Sequence, residues 1–355
     1  MSVLARYLMR AVLSHTAMVM MVLLSLTGLY LLITQQDEIG IGTYSTAHAL
    51  MYVGLNLPQQ AFDMLPIAAL IASLLALGNL ARTMELTVIR AAGVSTLRIS
   101  LWVMTAGAVL MVITWVLGEY IGPPLQEYGR QMKTFQKFHD YSMAGGRAAW
   151  AKDGNTIFSV QQQNAGNSYG GVFIFKFDDQ HRLVSIGKAG NARIDANDRW
   201  TLSDYRESRI DGDRIVASRQ PSANLDTHLS AEFLGLAAVD PDAMRIDGLY
   251  KYIQHLKRNE LDSHSAEVAF WSRIARTVAV AIIVVLAIPF AFGPMRATGT
   301  GTRTVIGVLI GVVFLLIARM MESSGALFDL SPLVVAWTPT ALLALVTGIA
   351  IARVR

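Results

Sequence analysis

The sequence predicts an α-helical integral membrane protein with six transmembrane helices, three before and three after an inserted all-β domain. Three observations carry this. Of 355 residues, 53% are hydrophobic and 16% are charged, against about 25% charged in an ordinary soluble domain. Six apolar stretches each reach the about 20 residues needed to cross about 30 Å of hydrocarbon. Between the third and the fourth, from about 122 to 265, the composition turns polar and rich in turn residues. The formal net charge is +4; outside segment 122–265 nearly all the arginines stand at the ends of apolar runs, as membrane orientation requires, and no nucleic-acid partner is expected. The chain has no cysteine, which excludes a disulfide scaffold, a thiol nucleophile and a zinc site built on Cys.

The apolar stretches run over 11–33, 58–80, 99–121, 274–294, 303–321 and 333–351. The first follows Arg6 and Arg10, as a signal peptide would. It is longer than a typical h-region and lacks a small-x-small cleavage site, so it reads as a retained span. Lys and Arg in short loops set orientation. Arg82, Arg90 and Arg98 lie between spans two and three, Arg296 and Arg303 between four and five, and Arg353 and Arg355 end the chain. Residues 34–57 hold no Lys or Arg but do hold Asp37 and Glu38, and Glu322 and Asp329 follow span five. Both termini are therefore expected in the cytoplasm and the β domain outside, which in a Gram-negative cell is the periplasm. Arg273 and Arg276, at the outer end of span four, are the one discordant pair. Trp102, Trp115 and Trp271 fall near the expected interfaces, as belt aromatics do. Three segments follow: 1–121 with spans one to three and a cytoplasmic helix at about 81–95; 122–246 as the β domain; and 247–355 as a connecting helix with spans four to six.

Within the β domain, Asp153-Gly154 separates Ala148-Ala149-Trp150 from Ile157-Phe158-Ser159-Val160, a hairpin signal. Val172 to Phe177 is rich in residues suited to a pleated, half-buried surface. Further turns are marked by Asp178-Asp179, Asn197-Asp198 and Asp211-Gly212-Asp213, the spacing of a sandwich or barrel. After Pro241, Leu249, Tyr252, Ile253 and Leu256 recur at helical spacing, so an amphipathic helix leads to span four.

The chain carries no engine of its own. No Gly-x-x-x-x-Gly-Lys-Ser/Thr is present to cradle phosphates. Gly299-Thr300-Gly301-Thr302-Arg303 lacks the lysine and reads as an interhelical turn. There is no His-Glu-x-x-His, and the seven His are scattered. His15 in span one reads as a packing residue before it reads as a ligand. Segment 81–98 is the informative cytoplasmic piece. Met84, Val88, Ala91 and Ala92 share a helical face, Glu85 is the one acid on the short cytoplasmic elements, and Gly93 is a helix stop. It suits docking into a partner's groove or, equally, lying on lipid headgroups. Charges at membrane depth are costly. Arg319 either snorkels or faces a cavity for an anionic ligand, Arg296 either anchors the inner end of span four or meets substrate, and Asp63 reads as interfacial. Gly307 and Gly311 allow close helix approach, and Pro289 marks a bend in span four.

These features together resemble the lipopolysaccharide export permeases, the LptF/LptG family, over essentially the whole chain. Met84-Glu85-Leu86-Thr87-Val88-Ile89-Arg90-Ala91-Ala92-Gly93 is similar to the family's coupling helix, and Gly118-Glu119-Tyr120 to the segment closing span three. Trp150-Ala151-Lys152-Asp153-Gly154-Asn155, Asp240-Pro241-Asp242-Ala243 with Gly248-Leu249, and Phe292-Gly293-Pro294-Met295-Arg296 resemble the LptG branch more than LptF. The resemblance implies a non-enzymatic permease subunit of the inner membrane. It would pair with the sister permease LptF, two copies of the ATPase LptB, which would bind the ATP and Mg, and LptC. It would extract lipopolysaccharide and pass it to a periplasmic bridge, with spans one and five lining the lateral opening. The β domain would be a jelly roll. Glu85, with Arg90, Ala91 and Gly93, would meet the ATPase, and Arg296 would meet the anionic substrate. One departure stands out. LptG proteins can carry lysines near the outer end of span one, where this chain has Asp37 and Glu38. Complementary charge would then come from Arg319, from divalent ions bridging Asp37 and Glu38 to phosphate, or from LptF.

Lipopolysaccharide has several acyl chains, each costing about 0.8 kcal/mol per CH₂ to extract, so energy must enter from outside a chain with no nucleotide site. A competing reading is a non-transporting sensor or scaffold whose β domain binds an envelope partner. A self-powered secondary transporter would want paired acids near the midplane, and the spans offer almost none.

Overall fold

A computed structural model of the chain describes residues 3–138, 149–164, 168–180, 182–195, 199–212, 214–225, 227, 229, 241, 244–292, 300–328 and 330–353. It divides into two compact units. One comprises Met1–Gln36, Val53–Gln126 and Glu267–Arg355; the other comprises Asp37–Tyr52 and Glu127–Ala266.

The first unit is helical. Its elements are α1 (Val3–Thr34), α2 (Thr46–Arg82), the short α3 (Glu85–Ala91), α4 (Thr96–Val116), a π-helical turn (Leu117–Ile121) and the start of α5 (Gly122–Phe138). After the strands, α6 (Ile246–Arg258) belongs to the second unit, and α7 (His264–Phe292), α8 (Thr300–Phe328) and α9 (Pro332–Arg353) complete the first. Among the described residues, six helices are long and apolar enough to cross a membrane, α3 and α6 not being among them. Helix α2 is central: 78% of its most apolar stretch is buried, against 11% in α1 and 17% in α8. Leu8 and Val12 of α1, Leu70 and Leu77 of α2, Ile99 and Val103 of α4, and Val280 and Val284 of α7 form one core.

Glycine sets two of the helix contacts. A Cβ at Gly107 of α4 would stand 2.9 Å from the Ala281 carbonyl oxygen of α7, so those backbones touch. On α8, Gly307 lies against Ile71 and Leu74, and Gly311 against Ile67. The sequence pair Gly307/Gly311 therefore seats α8 on the middle of α2 within this chain.

In the second unit, α5 runs on to Phe138, so the segment expected to form the β domain from 122 opens with a helix, and the first strand begins at Ala149, within the expected Ala148-Ala149-Trp150. The Pro123-Pro124 pair follows the π turn inside a helix that runs on from α4; the prolines have no N–H to return to that turn, and the Gly118 carbonyl accepts from Arg273 instead. Among the described residues six strands follow: β1 (Ala149–Asp153), β2 (Thr156–Asn164), β3 (Ser168–Phe177), β4 (Leu183–Ile194), β5 (Trp200–Asp211) and β6 (Arg214–Leu225). They form one antiparallel sheet in sequential order. The Asp153-Gly154 hairpin is present, with Gly154 at φ +56°.

A crease crosses this sheet. The pairing ladder skips Gln161, Gly171, Gly190, Asp204 and Pro221, which share one register position on five neighbouring strands. Gly171 and Asp204 are left-handed, with φ of +62° and +50°, and Pro221 has no N–H to donate. Strand side chains alternate with period two. Here buried residues jump by three across the crease: Tyr169 to Val172, Ala189 to Ala192, Leu202 to Tyr205. Each strand thus turns the same face inward on both sides of the bend. Phe158 lies three residues to one side of the crease and Trp200 four to the other, three strands apart. On a flat sheet they would be about 27 Å apart, yet their ring centroids are 5.4 Å apart. The sheet is folded over on itself around Trp200, whose Nε1–H donates to the Leu229 carbonyl at 2.8 Å.

Helix α6 buries Leu249, Ile253 and Leu256, as its spacing predicts, and Tyr252 packs on the sheet's core. Its C-terminal end covers the outer edge of β1. The His255 Nε2–H donates to the Lys152 carbonyl at 3.1 Å, and the Gly154 N–H donates to Asn259 Oδ1 at 2.9 Å. Burial holds His255 below its ordinary pKa of 6.5. The unfolded chain therefore takes up this proton first, so the stability that neutral His255 contributes is present above pH 6.5 and is lost as pH falls.

Two outcomes are expected. Gly171→Val, which puts a β-branched residue at φ +62° and a Cβ 2.7 Å from Gln161 Oε1, costs about 1–3 kcal/mol, read as earlier proteolysis of residues 149–225 on heating. The same proteolysis assay run from pH 7.5 down to 5 shows a falling midpoint in the wild type, and a flatter profile in His255→Gln.

Candidate functional site

Helix α3 is a two-faced element held between α2 and α4. Leu86 and Ile89 point into the helical core. Met84, Val88, Ala91 and Ala92 are exposed, Val88 at 65%. Left-handed residues bracket the helix, Met84 before it (φ +65°) and Gly93 after it (φ +86°), and Ser95 caps α4 by accepting from the Arg98 N–H. The element is thus a rigid corner rather than a loop. Glu85 is not bare: it accepts from Tyr7 at 2.7 Å and from Thr83 at 2.9 Å. Arg90 lies over the Phe292 ring at 5.2 Å, which ties α3 to the end of α7. An exposed apolar strip beside a fixed carboxylate can receive a complementary groove and transmit a push to α2 and α4.

A second constellation lies within the spans and accounts for the discordant arginines. Arg273 of α7 pairs with Glu119 at 2.6 Å, both almost wholly buried, and also donates to the Gly118 carbonyl. The π turn makes this possible. The Gly122 N–H bonds back to the Leu117 carbonyl, an i→i+5 step that widens the helix. Phe62 of α2 closes the far side, its ring 5.0 Å from the guanidinium and tight against Gly118, where a Cβ would stand 2.5 Å from it. One turn further along α7, Arg276 bridges Asp63 of α2 at 3.4 Å and Glu322 of α8 at 3.3 Å. Arg319 joins from α8 through Glu322 at 3.4 Å. Asp63 is therefore an ion-pair partner of Arg276. These four charges border a cavity of about 220 Å³ between α2, α7, α8 and α9.

Asp37 and Glu38 stand on a 3-10 turn after α1. Glu38 is paired with Lys133 at 2.5 Å and Lys137 at 3.6 Å, both from α5. Two cations from α5, ninety-odd residues on, thus stand against Glu38. Arg296 lies outside the described residues, as does Gly299. The residues singled out from sequence fall in three separate places: Glu85, Arg90, Ala91 and Gly93 at α3; Arg319 in the charged cluster, with Gly307 and Gly311 on the same helix; Asp37 and Glu38 beside α5. Sequence reasoning missed Lys133, Lys137 and Ser272, and named Glu119 and Glu322 without pairing them to arginines. The signal for that pairing was present, since two arginines within an apolar bundle demand acids. Among the described residues, no group of three or more His, Asp or Glu is arranged to hold a metal.

The family model described as lipopolysaccharide export system permease LptF/LptG matches residues 6–353. The chain is similar to lipopolysaccharide export system permease protein LptG of Escherichia coli (strain K12), 30% identical over 341 residues that cover 96% of this chain and 95% of that protein. It is also similar to the LptG protein of Haemophilus influenzae, 29% identical over 338 residues, covering 95% and 94% respectively.

The buried pair makes a direct prediction. Glu119→Gln leaves Arg273 charged and without its counter-ion, at a cost of about 3–5 kcal/mol. Glu119→Gln combined with Arg273→Met removes both charges and restores a large part of that loss. Thermal unfolding in detergent should rank wild type, double variant and single variant in that order.

Proposed function

Because the chain belongs to the lipopolysaccharide export system permease LptF/LptG family, we propose that it is the LptG-type permease subunit of a lipopolysaccharide exporter. It extracts lipopolysaccharide from the inner membrane and passes it to a periplasmic bridge. Its partners are the sister permease LptF, two copies of the ATPase LptB and the membrane-anchored LptC. ATP and Mg²⁺ bind in the ATPase. Both termini face the cytoplasm and the folded sheet, a jelly-roll-like domain, faces the periplasm.

The observation that carries this reading is α3. Its outward strip of Met84, Val88, Ala91 and Ala92 suits a groove on an ATPase, while Leu86 and Ile89 key it into the bundle. Closure of the ATPase dimer would push this corner, and the push would pass into α2, the most buried helix. The lightly buried faces of α1 and α8 suit a lateral opening shared with a second permease. Arg296 and the α5 lysines are the cations that would meet lipopolysaccharide phosphates.

The test is a reconstituted assay of ATP-driven lipopolysaccharide release from proteoliposomes. Val88→Asp changes an exposed position and leaves the core intact. It is expected to lower release about tenfold or more, the equivalent of about 1.4 kcal/mol of coupling, and to weaken co-purification of the ATPase. Glu85→Ala is expected to lower release with less loss of ATPase binding. Undiminished release in both variants would sink the coupling role of α3.

A further inference from the structure

We propose that the cavity between α2, α7, α8 and α9 binds one zwitterionic bilayer phospholipid, by its headgroup and the upper part of an acyl chain. This goes beyond the export reading and does not depend on it.

Four observations converge. The first is an orphaned hydroxyl. Ser272 lines the cavity, is 6% exposed, and its Oγ has no hydrogen-bond partner among the described residues. A buried hydroxyl left unmet is costly, and a ligand oxygen in the cavity would satisfy it. The second is charge. Arg276 and Arg319 face Asp63 and Glu322 around the same space, so the rim is neutral but strongly dipolar. A phosphate fits the guanidinium side and an ammonium fits the carboxylate side. A polyanionic headgroup would meet two carboxylates.

The third is depth. Asp63 lies nineteen residues from the Arg82 end of α2, Arg319 nineteen from the Thr300 end of α8, and Arg276 sixteen from the Phe292 end of α7. At 1.5 Å per residue these are about 28, 28 and 24 Å. All three sit at one level, near the far boundary of an about 30 Å hydrocarbon layer, where headgroups begin. The fourth is size and lining. At about 220 Å³ the cavity is smaller than the about 300–1,000 Å³ that encloses a drug-sized molecule. It holds a headgroup and a chain segment against Ile67, Phe314 and Leu315, and not a glycolipid with several chains.

The experiment uses the full chain with its accompanying subunits, purified from its own membranes, stripped of lipid and returned to nanodiscs. Retained phospholipid per chain is counted by mass spectrometry. Phosphatidylethanolamine and phosphatidylcholine are expected to be retained at one per chain in preference to phosphatidylglycerol. Ala318→Trp fills the cavity and removes that retained lipid. Asp63→Asn with Glu322→Gln removes the two acids of the rim and keeps both arginines, and the preference should swing toward phosphatidylglycerol by about tenfold or more. A purely structural role for the four charges would destabilise the variant in every lipid alike and leave the preference unmoved. The proposal is overturned by that result, by equal retention in wild type and Ala318→Trp, by retention of water alone, or by purified lipopolysaccharide displacing the phospholipid.

Discussion

A guanidinium in an apolar bundle persists only where an acid meets it, and Arg273 organises the helical unit for that reason. Its partner Glu119 must arrive from another helix, so α4 ends in a π turn that presents both the carboxylate and the freed Gly118 carbonyl. The turn in turn needs Gly118, because Phe62 occupies the space a side chain would take. A second fixed point lies at Gly107 and Ala281. From Gly107 to Gly118 along α4 is about 16 Å, and from Ala281 to Arg273 along α7 about 12 Å. The long arginine side chain spans the difference. Two contacts of opposite character, one backbone against backbone and one ionic, therefore fix the antiparallel alignment of α4 and α7.

The same constraint extends to Arg276. One turn further, it gathers α2 and α8 through Asp63 and Glu322, while Gly307 and Gly311 hold α8 against α2 closer to its other end. Helix α8 is thus anchored on one face and open on the other, the disposition of an element that must keep its register while its outer surface stays available. Helix α3 has the same division on a smaller scale, with Leu86 and Ile89 committed and Val88 offered.

How much of this was legible depended on how local the signal was. The six spans followed from apolar run length, and the β insertion from a change of composition. Helix α3 was readable because its two faces are written in ten consecutive residues. Helix α5 was hidden behind Pro123-Pro124 and a polar composition, although Arg130, Lys133 and Lys137 recur at helical spacing. The ion pairs were half legible: Arg273 and Arg276 declared that acids were needed, but which acids depended on helix neighbours distant in sequence. The crease left no local signature. Gly171, Gly190, Asp204 and Pro221 are spread over fifty residues and share no motif. They become one feature only when four strand registers are laid side by side. The jump of three in the buried pattern looks, in any single strand, like a lapse in alternation.

That shared position has a consequence for how the domain tolerates change in length. A residue inserted or deleted within any one of five strands would displace its bend from the line and put that strand's inward face out of step on one side. Compensation would have to occur in neighbours that are remote in the gene. The hairpin tips, which lie off the line of the bend, are the places where a change of length leaves every inward face in step.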